Sequence, residues 1–558
     1  MKKIIGCIIV LIFSVFAIQP LLSSGYFPMH DDTQVARVVV MGNALRQGQF
    51  PVRWVSDLGY GYGYPIYNFY GPLPYYIGGG LYAAGVDSVV ATKIMFGIGM
   101  VLAPVTLFLL VESTLGFLAA IAAATLFMYA PYHAVEAYVR GAVGEYWAIA
   151  FVPLLLYGIK LSFQKKEAMK GIIIASVSLA GVIVSHTILG FVTSAFLGTG
   201  LMVYWLVLFL KKKLHPLDIV RPVRMIVLGL GLSAFFWLPA LVEMSATSVS
   251  QMIAGTTTTF FDHFVCIGQL WNSPWGFAGS APGCVDGMSF KLGKVQLLIL
   301  ACSLVTWIVF RKRKHLKEKN TFLALSLLGF VVSIFLMLQI SSPIWNVMPF
   351  TSFIQYPWRL LSFAMMFLAL SGAYIVSVPR RPIVRIGLMV GIVVMTIVVN
   401  AKIFVPQYTY VRDSSAFETA EELRFTKSRI SDEYLPPGIV KPQTASDVVK
   451  TSLQGNEMFL VRSLREQDTS LYAELESNSA QTITIRKAWF PGWRVTVNGI
   501  PVVPRVERGF PSVNIPAGKS IIQMHFTDTP IQTLGNILSI CSAVMIGVIY
   551  LYGKKANA

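Results

Sequence analysis

Long apolar runs with no polar face dominate the chain. Gly171–Val184 carries no charged residue, and Ile383–Val399 carries Arg385 alone. Runs of this kind approaching about 20 residues predict transmembrane helices. Spans are predicted near 4–22, 89–111, 115–131, 146–162, 170–187, 190–210, 224–243, 294–310, 321–340, 359–378, 382–401 and 531–552. Single helices near 70–88 or 115–131 also fit re-entrant segments. The pattern changes in three longer segments: 23–88, 244–293 and 402–530. In the first, Val35, Val38, Val39, Gly42 and Leu45 recur at helical spacing, with Gln34, Arg37 and Arg46 off that face. This predicts an amphipathic helix on the membrane surface. Tyr60–Tyr76 follows, too rich in Gly, Pro and Tyr for a regular helix, and its rings suit the headgroup level.

The segment 402–530 has two parts. Ser414–Glu433 is charged and reads as helical. Beyond it, Gln481–Arg486, Trp493–Asn498, Ser512–Ile515 and Ile521–Phe526 alternate like strands, with turn signals at Asn498-Gly499 and Pro516-Ala517-Gly518. The expected fold is therefore an all-α polytopic membrane protein of about 12 transmembrane helices, with a small β module near the C-terminus. Its expected organisation is a transmembrane domain over 1–401, a segment over 402–530 ending in the β module, and a last helix and tail over 531–558.

Composition agrees. Hydrophobic residues make up 55% and charged residues only 13% of the chain, about half the charge of an ordinary soluble domain. A net charge of +18 raises nucleic acid as a partner, but its placement excludes that reading. Segment 402–530 is nearly balanced, with 15 Lys and Arg against 14 Asp and Glu. The surplus sits in short loops: Lys165/Lys166/Lys170, Lys211–Lys213 with Arg221/Arg224, Arg311–Lys314, and Arg380/Arg381/Arg385. Under the positive-inside rule these loops face the cytoplasm. Both termini then lie inside, and the loops 23–88, 132–145, 244–293 and the segment 402–530 lie outside a plasma membrane. Met1–Leu22 has a short basic start and an apolar core, as a signal peptide does; without a clean small-residue cleavage site it reads as a retained first helix. Cys7, Cys302 and Cys541 fall in predicted spans, while Cys266 and Cys284 share an outer loop where a disulfide is permitted.

Candidate chemistry clusters on the outer side. His30-Asp31-Asp32 follows the first helix. The two carboxylates suit helix capping, a divalent cation or a general base. Tyr132–Gly141, containing His133, Glu136 and Arg140, and then Glu145, form a second acidic and basic group, facing either a cavity or solvent. His186 ends one span and Glu243 another. Arg359, in Gln355-Tyr356-Pro357-Trp358-Arg359, suits either interfacial snorkelling or a phosphate clamp. Chance scatter would have put some of these on the inner side.

These motifs carry a resemblance. The acidic pair after helix one is followed by Trp54, Gly59-Tyr60-Gly61, Tyr64-Pro65, Tyr70-Gly71-Pro72-Leu73, Ser185-His186, Phe235-Phe236-Trp237-Leu238-Pro239 and Gln355-Tyr356-Pro357-Trp358-Arg359. Over roughly residues 1–400 the chain resembles the bacterial and archaeal membrane family labelled 6-pyruvoyl-tetrahydropterin synthase-related. The sequence has neither a soluble pterin-synthase domain nor a zinc histidine cluster, so that label misleads. The family is similar to the GT-C superfamily of membrane glycosyltransferases that use polyprenyl-phosphate-linked sugars. Ala488-Trp489-Phe490-Pro491-Gly492-Trp493 resembles the membrane-proximal module of large bacterial proteins related to lipoteichoic-acid glycosylation.

The GT-C resemblance implies an inverting sugar transfer to an extracytoplasmic glycan, lipid or protein. Asp31 and Asp32 take the place of the first-loop acid. His30, Glu136, Arg140, His186 and Arg359 become substrate-binding candidates. Asp31, Asp32 and Glu136 become candidate ligands of a divalent Mg or Mn. Two other classes compete. A lipid or solute transporter would place its polar residues at the midplane and show paired halves. A non-catalytic assembly or scaffold protein would leave Asp31 and Asp32 in solvent, away from Glu136 and His186.

Overall fold

The computed structural model describes residues 1–249, 260–348, 351–448 and 451–556. Parts of two expected segments, 250–259 of the outer loop 244–293 and 449–450 of 402–530, lie outside the described residues, as do residues 349–350 and 557–558. Among the described residues, nine helices are long and apolar enough to cross a membrane. Two bent pairs raise the number to 11: Phe117–Met128 with Pro131–Arg140, bent by 49°, and Pro216–Leu232 with Ala234–Ala246, bent by 70°. Lys294–Phe310 is a shorter apolar helix. The 12 expected spans thus all fall on helices, two of them broken and one short.

Burial separates the bundle into a centre and a rim. Pro357–Ser377 is 89% buried, whereas Thr187–Leu210 and Pro530–Gly553 are 17% and 11% buried. The rim helices turn Leu206, Phe209, Leu538 and Val544 outward. Exposed side chains of this kind are stable only in lipid. Lys2–Leu22 belongs to the bundle: the Tyr129 and Tyr138 hydroxyls donate to its Phe13 and Ala17 carbonyls at 2.6 and 2.7 Å. At one end of the bundle Lys3 meets Tyr157 at 3.0 Å and Lys160 meets Thr114 at 2.7 Å. Helix Val143–Ser162 carries Lys160 at that end and Glu145 at the other.

The C-terminal module comprises nine strands: β1 (Leu453–Gly455), β2 (Phe459–Gln467), β3 (Ser470–Ser477), β4 (Gln481–Ile485), β5 (Trp493–Val497), β6 (Ile500–Val502), β7 (Arg505–Glu507), β8 (Phe510–Ile515) and β9 (Gly518–Phe526). They form two sheets, β1-β4-β8-β7 and β2-β3-β9-β5-β6, and every pairing is antiparallel. Asn498 and Gly499, at φ 51° and 80°, make the β5–β6 turn, where two positive φ values match the twist of a hairpin. Leu471, Ala473, Leu475, Ile483, Ile485, Ile522 and Met524 fill the core.

Two expectations are corrected here. Helix Gln34–Arg46 does not lie on a membrane surface; it is buried on all sides from Gln34 to Gly42. Its polar residues find partners from elsewhere. Arg37 stacks on Tyr70 at 4.0 Å, and Gln34 bonds Gly141 O and Tyr75. The tyrosines of 60–76 are likewise not interfacial anchors. Tyr60, Tyr62, Tyr64, Tyr67 and Tyr75 are buried, and two helices, Ile66–Phe69 and Leu73–Ala83, lie across the segment. Segment 402–530 covers this region. Trp54 packs on Trp493 at 5.3 Å, Tyr62 on Phe510 at 4.9 Å, and Arg424 pairs with Asp57 at 2.8 Å. Ser414–Glu433 supplies only short pieces, Ser414–Phe417, Glu422–Lys427 and Ser428–Ile430.

Candidate active site

The loop after the first helix is laced to the broken helix Pro131–Arg140. The His30 and Asp31 amides donate to the Val139 and Arg140 carbonyls, each at 2.9 Å. Gln34 adds a bond to Gly141 O at 2.8 Å. Gly141 has φ 67°, and a Cβ there would lie 2.2 Å from Met29 Sδ, so only glycine lets the two segments close. Neither aspartate caps the next helix, whose N-cap, Thr33, has no side-chain capping bond. The Asp31 side chain instead accepts from His30 Nδ1 at 3.0 Å. Burial pushes the Asp31 carboxyl up, but the His30 bond and the charges of Arg140 and Arg37 together hold it below its ordinary value. Asp31 is therefore ionised at neutral pH, and its side chain keeps partial access to solvent.

Behind it lies a buried charge cluster centred on Glu145. Arg140 grips both Glu145 oxygens, at 2.7 and 2.8 Å. Arg359 Nε donates to Oε1 at 3.1 Å, and His186 Nε2 stands 3.9 Å away. A Cβ at position 144 would lie 2.8 Å from Ser185 O, so Gly144 brings the helix break at Ser185-His186 against Glu145. Arg140 stacks over Trp358 at 4.5 Å and donates to Tyr132 Oη at 3.2 Å. Arg359 Nη1 donates to Ile354 O and Gln355 Oε1 at 2.8 and 3.3 Å. Those acceptors are presented by a tight turn in which Tyr356 N–H bonds Ile354 O at 2.6 Å and Gln355 takes φ 61°, a backbone state that concentrates at functional sites. Among the described residues Arg359 Nη2 has no protein acceptor. Two guanidiniums around one carboxylate leave a net positive charge, adjacent to Asp31.

The other candidates separate. Asp32 turns away and pairs with Lys427 at 2.8 Å, which also meets Glu422 at 3.3 Å; Glu422 in turn holds Arg412 at 3.0 Å. Glu136 is buried against the bundle and accepts from Ser362 Oγ at 2.8 Å. Asp31, Asp32 and Glu136 thus do not converge as a cation site, because each is committed to a different neighbour. Among the described residues no group of three His, Cys, Asp or Glu is arranged to hold a metal. Cys266 and Cys284 are joined in a disulfide. It staples the loop whose Gly279 abuts His30, where an added Cβ would meet the ring at 2.8 Å.

The sequence does not mark Glu145 as the hub, or Lys427 as the partner of Asp32. A signal for Glu145 exists: it is the single acid of helix Val143–Ser162, and an acid inside a span is functional or paired by default.

The family model described as 6-pyruvoyl-tetrahydropterin synthase related domain, membrane protein, matches residues 67–406. An uncharacterized protein of Lactococcus lactis subsp. cremoris is 26% identical over 257 residues, which is 43% of this chain and 40% of that protein. The chain thus spans less than half the length of that relative. Among solved structures, the mycobacterial arabinofuranosyltransferase AftD is similar at 16% identity and a TM-score of 0.44, over 73% of this chain and 27% of AftD. The apo oligosaccharyltransferase of Archaeoglobus fulgidus is similar at 12% identity and a TM-score of 0.48, over 77% of this chain and 60% of the enzyme.

Proposed function

We propose that this chain, which belongs to the family of 6-pyruvoyl-tetrahydropterin synthase related membrane proteins, is a membrane glycosyltransferase that moves a sugar from a polyprenyl-phosphate donor to an extracytoplasmic acceptor. The observation that carries this reading is the lacing of Asp31 to the backbone of Arg140. It sets an ionised, accessible carboxylate beside a buried cationic cluster at one end of a membrane bundle. Such a pair has the two functions that sugar transfer from a lipid phosphate needs. The loops that form it come from the end opposite Lys3 and Lys160, the extracytoplasmic end of a plasma-membrane protein under the positive-inside rule.

In this mechanism the acceptor hydroxyl lies against Asp31. Its oxygen attacks the anomeric carbon as Asp31 takes its proton. The bond from that carbon to the phosphate oxygen breaks, and the lipid phosphate leaves with the electron pair. Its added charge develops next to Arg140 and Arg359, with Arg359 Nη2 the donor left for it. Fixed donors of this kind need no reorganisation at the moment of reaction, which is why they are often the largest catalytic term. Glu145 and Trp358 keep both guanidiniums in place, and Asp32, turned to Lys427, holds segment 402–530 rather than a reacting group.

Native mass spectrometry of the purified protein tests donor recognition. Polyprenyl-phosphate hexose should stay bound where the matching polyprenol does not, and Arg359→Gln should weaken the difference. Equal retention of both lipids would overturn the assignment.

A further inference from the structure

The two tryptophans of Ala488–Trp493 have different surroundings. Trp493 is buried and packs edge-on against Trp54 and Phe526, at 5.3 and 5.2 Å. Trp489 is half-buried and, among the described residues, stacks on no ring and has no acceptor for its Nε1–H. Its side chain lines a cleft of about 370 Å³ between the C-terminal module and Ala246, the end of the bent pair Pro216–Leu232 with Ala234–Ala246, at the small end of the range for ligand sites. Three prolines, Pro436, Pro437 and Pro491, form stiff walls. The Arg508-Gly509 turn closes the cleft, and the Trp489 amide donates to Gly509 O at 2.8 Å.

Among the described residues the cleft is lined by one charged side chain, Arg508, and by no acid. Glu507, the acid of the adjoining hairpin, is taken up by Arg505 at 2.7 Å. Arg508 is exposed and, among the described residues, has no ion-pair partner. Arg494, also exposed, stands beside the cleft: its Nη1 donates to the carbonyls of Pro491, a lining residue, and Trp493, at 3.0 and 3.1 Å, and among the described residues it has no ion-pair partner.

We infer that this cleft binds an acidic saccharide, with Trp489 against a sugar face and Arg508 and Arg494 toward its carboxylates. A carboxylate gives these guanidiniums charge-assisted hydrogen bonds, which are stronger than those a neutral glycan offers. Stiff walls lower the ordering cost of binding, so a small cleft suffices. The inference goes beyond the transfer reaction and assigns the C-terminal module a role in holding glycan.

Binding of oligogalacturonate to the full-length protein in nanodiscs tests it, with the fully methyl-esterified oligomer as a neutral control of the same backbone. The acid form should bind at least about tenfold more tightly than the ester, and Trp489→Ala and Arg508→Asn should each lose about tenfold. Arg508→Asn keeps a residue that tolerates the left-handed turn, so it separates lost charge from lost fold. Asp31→Asn should bind oligogalacturonate as the wild type does, which keeps this outcome apart from that of the transfer reaction. No binding by the wild type, equal binding of acid and ester, or wild-type binding by both cleft variants would overturn the inference.

Discussion

Arg359 Nε donates to Glu145 Oε1 at 3.1 Å across 214 residues of chain, and Arg140 holds the same carboxylate from the other side. This contact joins the start of one central helix to the start of another, and it places two guanidiniums next to the His30–Asp31 loop. Its energetic consequence is direct. Glu145→Gln leaves two buried cations without their counter-charge and should destabilise the protein by about 3–5 kcal/mol. Arg359→Gln on that background should cost less than it does alone, because the partners are coupled. Thermal unfolding of the single and double variants in detergent measures both effects; strictly additive shifts would show that the cluster does not act as a unit.

Asp31 and Asp32 are neighbours in sequence with separate duties. Asp32 holds Lys427, and through it Glu422 and Arg412, so it ties segment 402–530 to the bundle. Asp32→Asn should lose about 2 kcal/mol and speed proteolysis within 412–433, while keeping most of the transfer rate. Lys427→Met should reproduce the proteolytic phenotype.

The Cys266–Cys284 bridge closes a loop with a sequence separation of 18 residues. Loops of about this size gain about 3 kcal/mol from a cross-link. Cys266→Ser with Cys284→Ser should lower the melting temperature and increase hydrogen exchange around Gly279 and His30, which this loop covers.

The His30–Asp31 pair gives a small pH signature. Its bond raises His30 above 6.5, whereas Asp31 is held below 3.8. The Asp31 contribution is present above 3.8 and fades as pH falls through the lowered folded value. The His30 contribution is full below 6.5 and is lost as pH rises through the raised folded value. The pair therefore stabilises most between these limits. His30→Gln should lower the melting temperature slightly at pH 5 and negligibly at pH 9; His30 is exposed and Asp31 partly so, and solvent screening holds the effect to a fraction of a kcal/mol.

Much of this architecture is legible in the sequence because its cause is local. Apolar length predicts the spans, and Asn498-Gly499 predicts a hairpin turn whose positive φ values those residues tolerate. The misreadings arise where a distant partner changes the meaning of a residue. Arg37 marks a polar face only until Tyr70 and Ser431 bury it. Strand Phe459–Gln467 is mostly exposed and carries Arg462, Arg465 and Glu466, and no inward alternation signals it. In the site, His30, Asp31, Arg140, His186 and Arg359 are legible as outer-end polar residues in apolar surroundings. That Glu145 gathers three of them depends on contacts with the Ser185-His186 break and the Gln355 turn, which no local pattern encodes.

In the proposed mechanism Asp31 activates the acceptor while the cluster behind it receives the lipid phosphate. The decisive measurement is sugar transfer and polyprenyl phosphate release from radiolabelled polyprenyl-phosphate hexoses, in membranes holding wild type or Asp31→Asn. Transfer should fall about 10²–10⁴-fold in Asp31→Asn, with donor binding and melting temperature nearly unchanged. Transfer at the wild-type rate in Asp31→Asn would rule out Asp31 as the base.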